Sequence, residues 1–195
     1  MTFSTSSSTI YFGYGSNLWL HQMDVRCPTS KYLGVARLKG YKWIISESGY
    51  ANVVELKSKS QDSSTAEDES DDGEEYKEEV FGLVYSLQPK DEAHLDINEG
   101  VPVAYTKEYL TVDFWHSKDG KKVNVGKDRS VEAKMLVYIN RERVKESKPK
   151  KEYIVRMASL PNAKWICGCK MSRYILFGQN ILSPFNVFSF LSFFC

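Results

Sequence analysis

Residues 57–79 consist almost entirely of serine, aspartate, glutamate and lysine, with almost no large apolar side chain, and they split the chain. Such a segment cannot bury enough surface to offset the entropy of ordering it, and it reads as a disordered insertion. On either side lie runs with strand composition: 33–38, 41–45 and 51–56 before it, and 80–87 directly after it. β-Branched and aromatic side chains of this kind suit a pleated, half-buried surface. Any sheet these runs build must therefore pair across the insertion, between segments far apart in sequence. The insertion reads as a solvated loop between two strands or as an acidic segment tuned by phosphorylation.

The remaining elements are sparser. Residues 17–26 suit a short helix that ends before Pro28, because proline disfavours helical geometry at Cys27. Residues 89–99 suit a second, with Pro89 at the start, Asp91 and Glu92 in the first turn, and Gly100 just past the end. Further strands are expected at 105–114 and 133–139. Mostly strand with few helices predicts an α+β chain whose mixed sheet curls into a small barrel, rather than an array of βαβ units. With 42% hydrophobic residues in 195, the chain can build the core of one domain. We divide it into a flexible 1–9, a folded 10–157 carrying the insertion, and a divergent tail at 158–195.

Several function classes are disfavoured. The net charge of +1 hides an acidic middle and basic flanks, and nothing in it points to nucleic acid. The four cysteines and three histidines lack zinc-type spacing, so no metal is expected, although Cys167 and Cys169 form a Cys-x-Cys pair. The first residues lack the basic start and apolar core of a secretory signal, which predicts a cytoplasmic protein with free thiols. The apolar stretch at 175–195 is broken by Gly178, Pro184 and Asn186, which argues against a membrane span.

Residues 11–18, Tyr-Phe-Gly-Tyr-Gly-Ser-Asn-Leu, read as a strand that breaks into a glycine-flanked turn and then a helix start. Gly13 and Gly15 permit positive φ and close approach to the backbone, and Ser16 or Asn17 is the expected N-cap. The turn is either plain connection or an anion-binding concavity of N–H groups. It lacks the third glycine of a dinucleotide fingerprint and the lysine of a P-loop, and it is no nucleophile elbow.

Glu99 stands immediately before the helix-ending Gly100. The partial negative charge of a helix C-terminus, together with burial, would raise its pKa toward the range of a general base, while a bound cation would oppose this. The alternative is a solvated glutamate at a frayed helix end. Asp96, one turn earlier, is the weaker rival.

Taken together, Tyr11-Phe-Gly-Tyr-Gly-Ser-Asn-Leu, Leu33-Gly-Val-Ala-Arg-Leu-Lys-Gly-Tyr, Val80-Phe-Gly-Leu-Val-Tyr and Leu95-Asp-Ile-Asn-Glu-Gly-Val resemble γ-glutamylcyclotransferases in order and spacing, over about 10–157. The resemblance implies a small mixed β-barrel with flanking helices, no cofactor, and conversion of a γ-glutamyl-amino acid into 5-oxoproline and the free amino acid. By motif, Tyr11, Phe12, Gly13, Tyr14, Gly15 and Ser16 would form the turn that grips the small-molecule γ-glutamyl substrate. Glu99 would be the catalytic proton acceptor, and Tyr138 a substrate contact or simply a sheet residue. A homodimer is one assembly it admits. After Met157 the likeness to the family stops.

Two other readings compete. Trp19 is similar to the glutathione-specific branch, and a γ-glutamylamine cyclotransferase is a further option. From a different class, the fold would serve as a non-catalytic binding module whose acidic insertion recruits a basic partner.

Overall fold

The computed structural model describes residues 8–56, 79–120 and 123–158. The segments expected as an insertion (57–78) and a tail (159–195), and residues 1–7, lie outside them.

The strands are β1 (Thr9–Gly13), β2 (Lys31–Lys39), β3 (Tyr41–Ile45), β4 (Ala51–Glu55), β5 (Glu79–Leu87), β6 (Thr106–His116) and β7 (Val131–Ile139). The helices are α1 (Leu20–Arg26), α2 (Pro89–Glu99) and α3 (Lys151–Ala158), with short 3-10 turns at Ser16–Leu18 and Lys118–Gly120. Most strand ends shift by one or two residues from the sequence reading, and two of the shifts cross an expected domain boundary. Thr9, taken with the flexible start, opens β1, and Glu79, taken with the insertion, opens β5.

Five strands close into a barrel in the order β1-β5-β2-β6-β7. Pairings across the insertion include those of β5, which lies antiparallel between β1 and β2, and that of β2 with β6. A parallel contact between Tyr11 of β1 and Leu136 of β7 closes the ring and makes the sheet mixed. Strands β3 and β4 form a separate hairpin.

Alternation along each strand feeds two buried clusters on opposite faces. Tyr11, Leu83, Tyr85, Leu136 and Tyr138 join Leu18 and Met23 from the first turns and Leu95 of α2. Phe12, Val84, Met135 and Val137 join Tyr41 and Val53 of the hairpin and Tyr153 of α3. β1, β5 and the second half of β7 are thus covered on both sides, which explains their apolar runs. At Gly82 a side chain is excluded: a Cβ there would lie 2.5 Å from Phe12 Cε2 and 2.6 Å from the Gly13 carbonyl oxygen. β1 therefore packs directly against the β5 backbone.

The end of α2 is set by its glycine. Gly100 takes the left-handed conformation (φ 65°, ψ 39°). Its N–H donates to Ile97 O at 3.1 Å and that of Val101 to Asp96 O at 3.0 Å, the paired closure of a Schellman motif. This fixes the direction of the residue before it, Glu99. At the other end of α2 the carboxylate of Asp91, 3% exposed, accepts from Thr29 Oγ1 at 2.5 Å and ties the helix to the loop after α1.

The start of α1 departs from expectation. Trp19 is extended (φ −89°, ψ 107°) and separates the 3-10 turn from the helix, so 17–26 is not one helix. Neither Ser16 nor Asn17 acts as an N-cap, since Gly15 and Trp19 occupy the caps without a side-chain hydrogen bond. Among the described residues no helix is long and apolar enough to cross a membrane.

Candidate functional site

A cavity of about 320 Å³ opens where the 3-10 turn, the ends of α1 and α2, the β3–β4 hairpin and α3 converge. Glu99 borders it, together with Tyr11, Tyr14, Gly15, Ser16 and Tyr138 of the expected site residues. Phe12 and Gly13 do not. The strand period points Phe12 into the opposite cluster, and Gly13 sits behind the Tyr11 ring, where a Cβ would come within 3.3 Å of it. The glycines act by leaving room rather than by positive φ: neither Gly13 nor Gly15 takes it, whereas a Cβ on Gly15 would press on Tyr153 Oη at 3.2 Å and on Ala51 Cβ at 3.3 Å.

The side chain of Glu99 is 18% exposed. Burial pushes its pKa above the usual carboxylate range, while Arg26, a hydrogen bond from Asn17 and the charge of Arg156 pull it back. Asn17 Nδ2 donates to Glu99 Oε1 at 3.0 Å and to the Tyr11 hydroxyl at 2.8 Å. The Asn17 carbonyl Oδ1 accepts from Gln22 Nε2 at 2.9 Å and Arg26 Nη1 at 3.0 Å, and Arg26 Nη1 lies 3.7 Å from Glu99 Oε1. Ser16 Oγ accepts from the same Gln22 amide at 2.9 Å. Asn17 is itself buried and anchored by the Tyr85 hydroxyl, which donates to its backbone carbonyl at 2.8 Å. The carboxylate is thus held against one amide and one guanidinium, ionisable and partly open to the cavity.

The tyrosines are largely committed. Tyr14 donates to Tyr138 O and Tyr105 to Ala51 O, both at 2.6 Å. Tyr138 donates to Asp96 Oδ1 at 2.6 Å, and burial raises its pKa, with Asp96 adding to the effect. Asp96, the rival carboxylate, is occupied in this way and by Lys107 at 3.0 Å. Tyr11 stands apart, since its hydroxyl accepts from Asn17 and donates to none of the described residues. Burial, and then the charge of Glu99, keep it protonated. It offers the cavity a neutral donor.

Ser16 and Asn17 of the 3-10 turn and the charged Arg26, Glu99 and Arg156 all line the cavity. Arg26, Arg156 and Asn17 were not singled out as site residues in the sequence. Asn17 lay inside the expected motif but was read as a cap. The two arginines close helices and carry no local signal. Among the described residues no group of three or more His, Cys, Asp or Glu side chains is arranged to hold a metal ion.

A family model described as gamma-glutamyl cyclotransferase, AIG2-like, matches residues 11–156. Among solved structures, one named gamma-glutamyl cyclotransferase is similar over 93% of this chain and 91% of its own, at 19% identity and a TM-score of 0.59. A crystal structure of an uncharacterised human protein is similar over 89% and 87%, at 20% identity and a TM-score of 0.57. At these identities the structures show the shared fold. No curated protein matches the chain.

Proposed function

The chain belongs to the gamma-glutamyl cyclotransferase, AIG2-like family, and on that premise we propose that it converts a γ-glutamyl-amino acid into 5-oxoproline and the free amino acid. The observation that carries this reading is the placement of Glu99. It is fixed by the closure of α2, perturbed upward by burial, and set on the same cavity as the Gly15–Ser16 turn.

The chemistry follows from that arrangement. Glu99 takes a proton from the substrate's α-ammonium, and the freed amine attacks the γ-carbonyl carbon of the same molecule. The charge that develops on the carbonyl oxygen meets the N–H groups of the turn and the Tyr11 hydroxyl. The tetrahedral intermediate then collapses and the C–N bond to the leaving group breaks; Glu99 returns the first proton to the departing nitrogen and relays the second, shed by the ring nitrogen, so that the lactam is neutral and the amine leaves as an ammonium. One amide bond replaces another within a five-membered ring, so no water, cofactor or acyl-enzyme is needed. Since nucleophile and electrophile are tethered, the protein's main task is to hold the folded conformer, and positioning of this kind can supply several kcal/mol. Tyr14 and Tyr138 line the substrate cavity as shape rather than as donors, because their hydroxyl protons are already used.

The test is 5-oxoproline release from γ-glutamyl-alanine by the purified full chain, with Glu99→Gln alongside and folding checked by circular dichroism. Loss of release in a folded variant is the expected result. Release that survives the substitution refutes the role of Glu99, and none from folded wild type refutes the activity.

A further inference from the structure

Apart from the tyrosines, the ionisable side chains that border the cavity are Glu99, Arg26 and Arg156. With Glu99 ionised, the wall carries one net positive charge. A γ-glutamyl-amino acid near neutral pH has two carboxylates and one ammonium and is a net anion, whereas a γ-glutamylamine without the second carboxylate is neutral. The cavity's charge therefore complements the first class of substrate.

The two guanidiniums are not equivalent. Arg26 is engaged with Asn17 and Glu99 on the α1–α2 wall. To lose its proton to Glu99, the α-ammonium must lie against that wall, which confines the neighbouring α-carboxylate to the Arg26 side. Arg156 belongs to a different wall, formed by α3 and the hairpin, where Tyr50 and Tyr153 meet edge to face with centroids 5.4 Å apart. Its Nη2 donates to Glu152 Oε2 at 2.7 Å, and among the described residues its Nε and Nη1 donate to nothing. Glu152 is half exposed, and an i,i+4 ion pair of that kind is weak and readily exchanged. Arg156 is thus a cavity-lining cation with donors to spare, whose charge is felt by Glu99 but which makes no hydrogen bond or ion pair to it among the described residues.

From this, and resting on the cyclotransferase reading above, we infer that Arg156 determines specificity by binding a carboxylate on the leaving group, so that the preferred substrates are γ-glutamyl-α-amino acids rather than γ-glutamylamines. A guanidinium suits this task because its planar donors match a carboxylate two at a time.

The experiment measures binding and turnover separately, with γ-glutamyl-alanine and γ-glutamyl-ethylamine, which differ in the carboxylate. Binding is measured by calorimetry in the full-length Glu99→Gln protein, with and without Arg156→Gln or Arg156→Lys, and turnover in the corresponding chains that retain Glu99. The Arg156-containing protein is expected to favour γ-glutamyl-alanine by about tenfold to about a hundredfold, the range of a charge-assisted pair. Arg156→Gln should erase that preference while leaving γ-glutamyl-ethylamine binding unchanged, and Arg156→Lys should restore part of it. Equal binding of the two ligands, no binding of either, or an Arg156→Gln effect that falls equally on both overturns the inference. A preference that depends on Arg156, in a wild type that releases no 5-oxoproline, upholds the carboxylate site and refutes the cyclotransferase reading instead.

Discussion

The amide of Asn17 holds the carboxylate of Glu99, and changing that amide to an acid should move the pH dependence of the reaction in a predictable direction. Asn17→Asp keeps the volume and an acceptor for Gln22 and Arg26, but replaces the Nδ2 donor, 3.0 Å from Glu99 Oε1, with an oxygen. Two carboxylates about 3 Å apart repel by about 5 kcal/mol at an effective dielectric constant of about 20. A charge-assisted hydrogen bond of about 1.5–3 kcal/mol is lost as well. Arg26 offsets part of this, because its Nη1 already lies 3.0 Å from Asn17 Oδ1 and would attract the new charge. The remainder favours a proton shared between the two acids, as in any close carboxylate pair. Since the burial of Glu99 already raises its pKa, the perturbation acts in the same direction and depletes the base form further. If only about 1.4 kcal/mol survives the offset, the acidic limb of the rate profile moves up by about one pH unit. The assay is kcat/KM for 5-oxoproline release from γ-glutamyl-alanine between about pH 5 and about pH 9. The expected result is an acidic limb displaced upward by about one pH unit or more, with the rate recovering on the alkaline side. A profile that keeps its midpoint and falls uniformly in height refutes the reasoning, because Asn17 would then act on the fold and not on the charge of Glu99.

Other consequences follow from the same structure. Folding raises the pKa of Glu99 above its unfolded value, so the folded chain binds that proton more readily and stability falls as pH rises between the two values. Glu99→Gln removes this penalty. Its melting temperature relative to wild type should be highest above the folded pKa and should decline as pH falls through it; thermal melts across that window that show the opposite trend contradict the burial argument. Gly82→Ala forces a Cβ to within 2.6 Å of the Gly13 carbonyl oxygen and should cost about 1–3 kcal/mol or more in urea unfolding; a neutral result would mean that β1 and β5 are not packed so closely. Thr29→Val deprives the buried Asp91 carboxylate of its hydroxyl partner and should cost about 1–3 kcal/mol, read as a lower urea midpoint with an unchanged slope.

The fold was legible in the sequence where a local rule and the global arrangement agree. Pro89 and Gly100 bracket α2 as read, because each acts on backbone geometry without help from distant residues. The strands were recognisable by composition, most clearly β1, β5 and the end of β7, which are buried on both faces of the barrel and so read as nearly continuous apolar runs. That pairing must cross residues 57–78 was also legible, from the compositional break. What was missed around residue 17 has a tertiary cause. A helix from 17 to 26 satisfies local preference, but it would withdraw the Asn17 amide from Tyr11 and Glu99, and the extended Trp19 resolves the conflict in favour of those long-range bonds.

The site divides along the same line. Glu99 could be found from sequence because the glycine after it fixes where a helix stops, and a carboxylate at that point has an electrostatic signature. Arg26 and Arg156 could not, because an arginine in the last turn of a helix is unremarkable. Their meaning depends on which side chain lies across space: Arg26 meets Glu99 over 73 positions of sequence, and Arg156 reaches the cavity because α3 packs Tyr153 against Tyr50 of the hairpin. On the proposed reading, proton transfer is carried by the locally encoded end of α2, whereas substrate selection rests on α3 and the hairpin. It follows that Arg156 can change without altering how α2 ends or how Glu99 is held, so leaving-group preference can diverge among relatives that keep the same proton-transfer group.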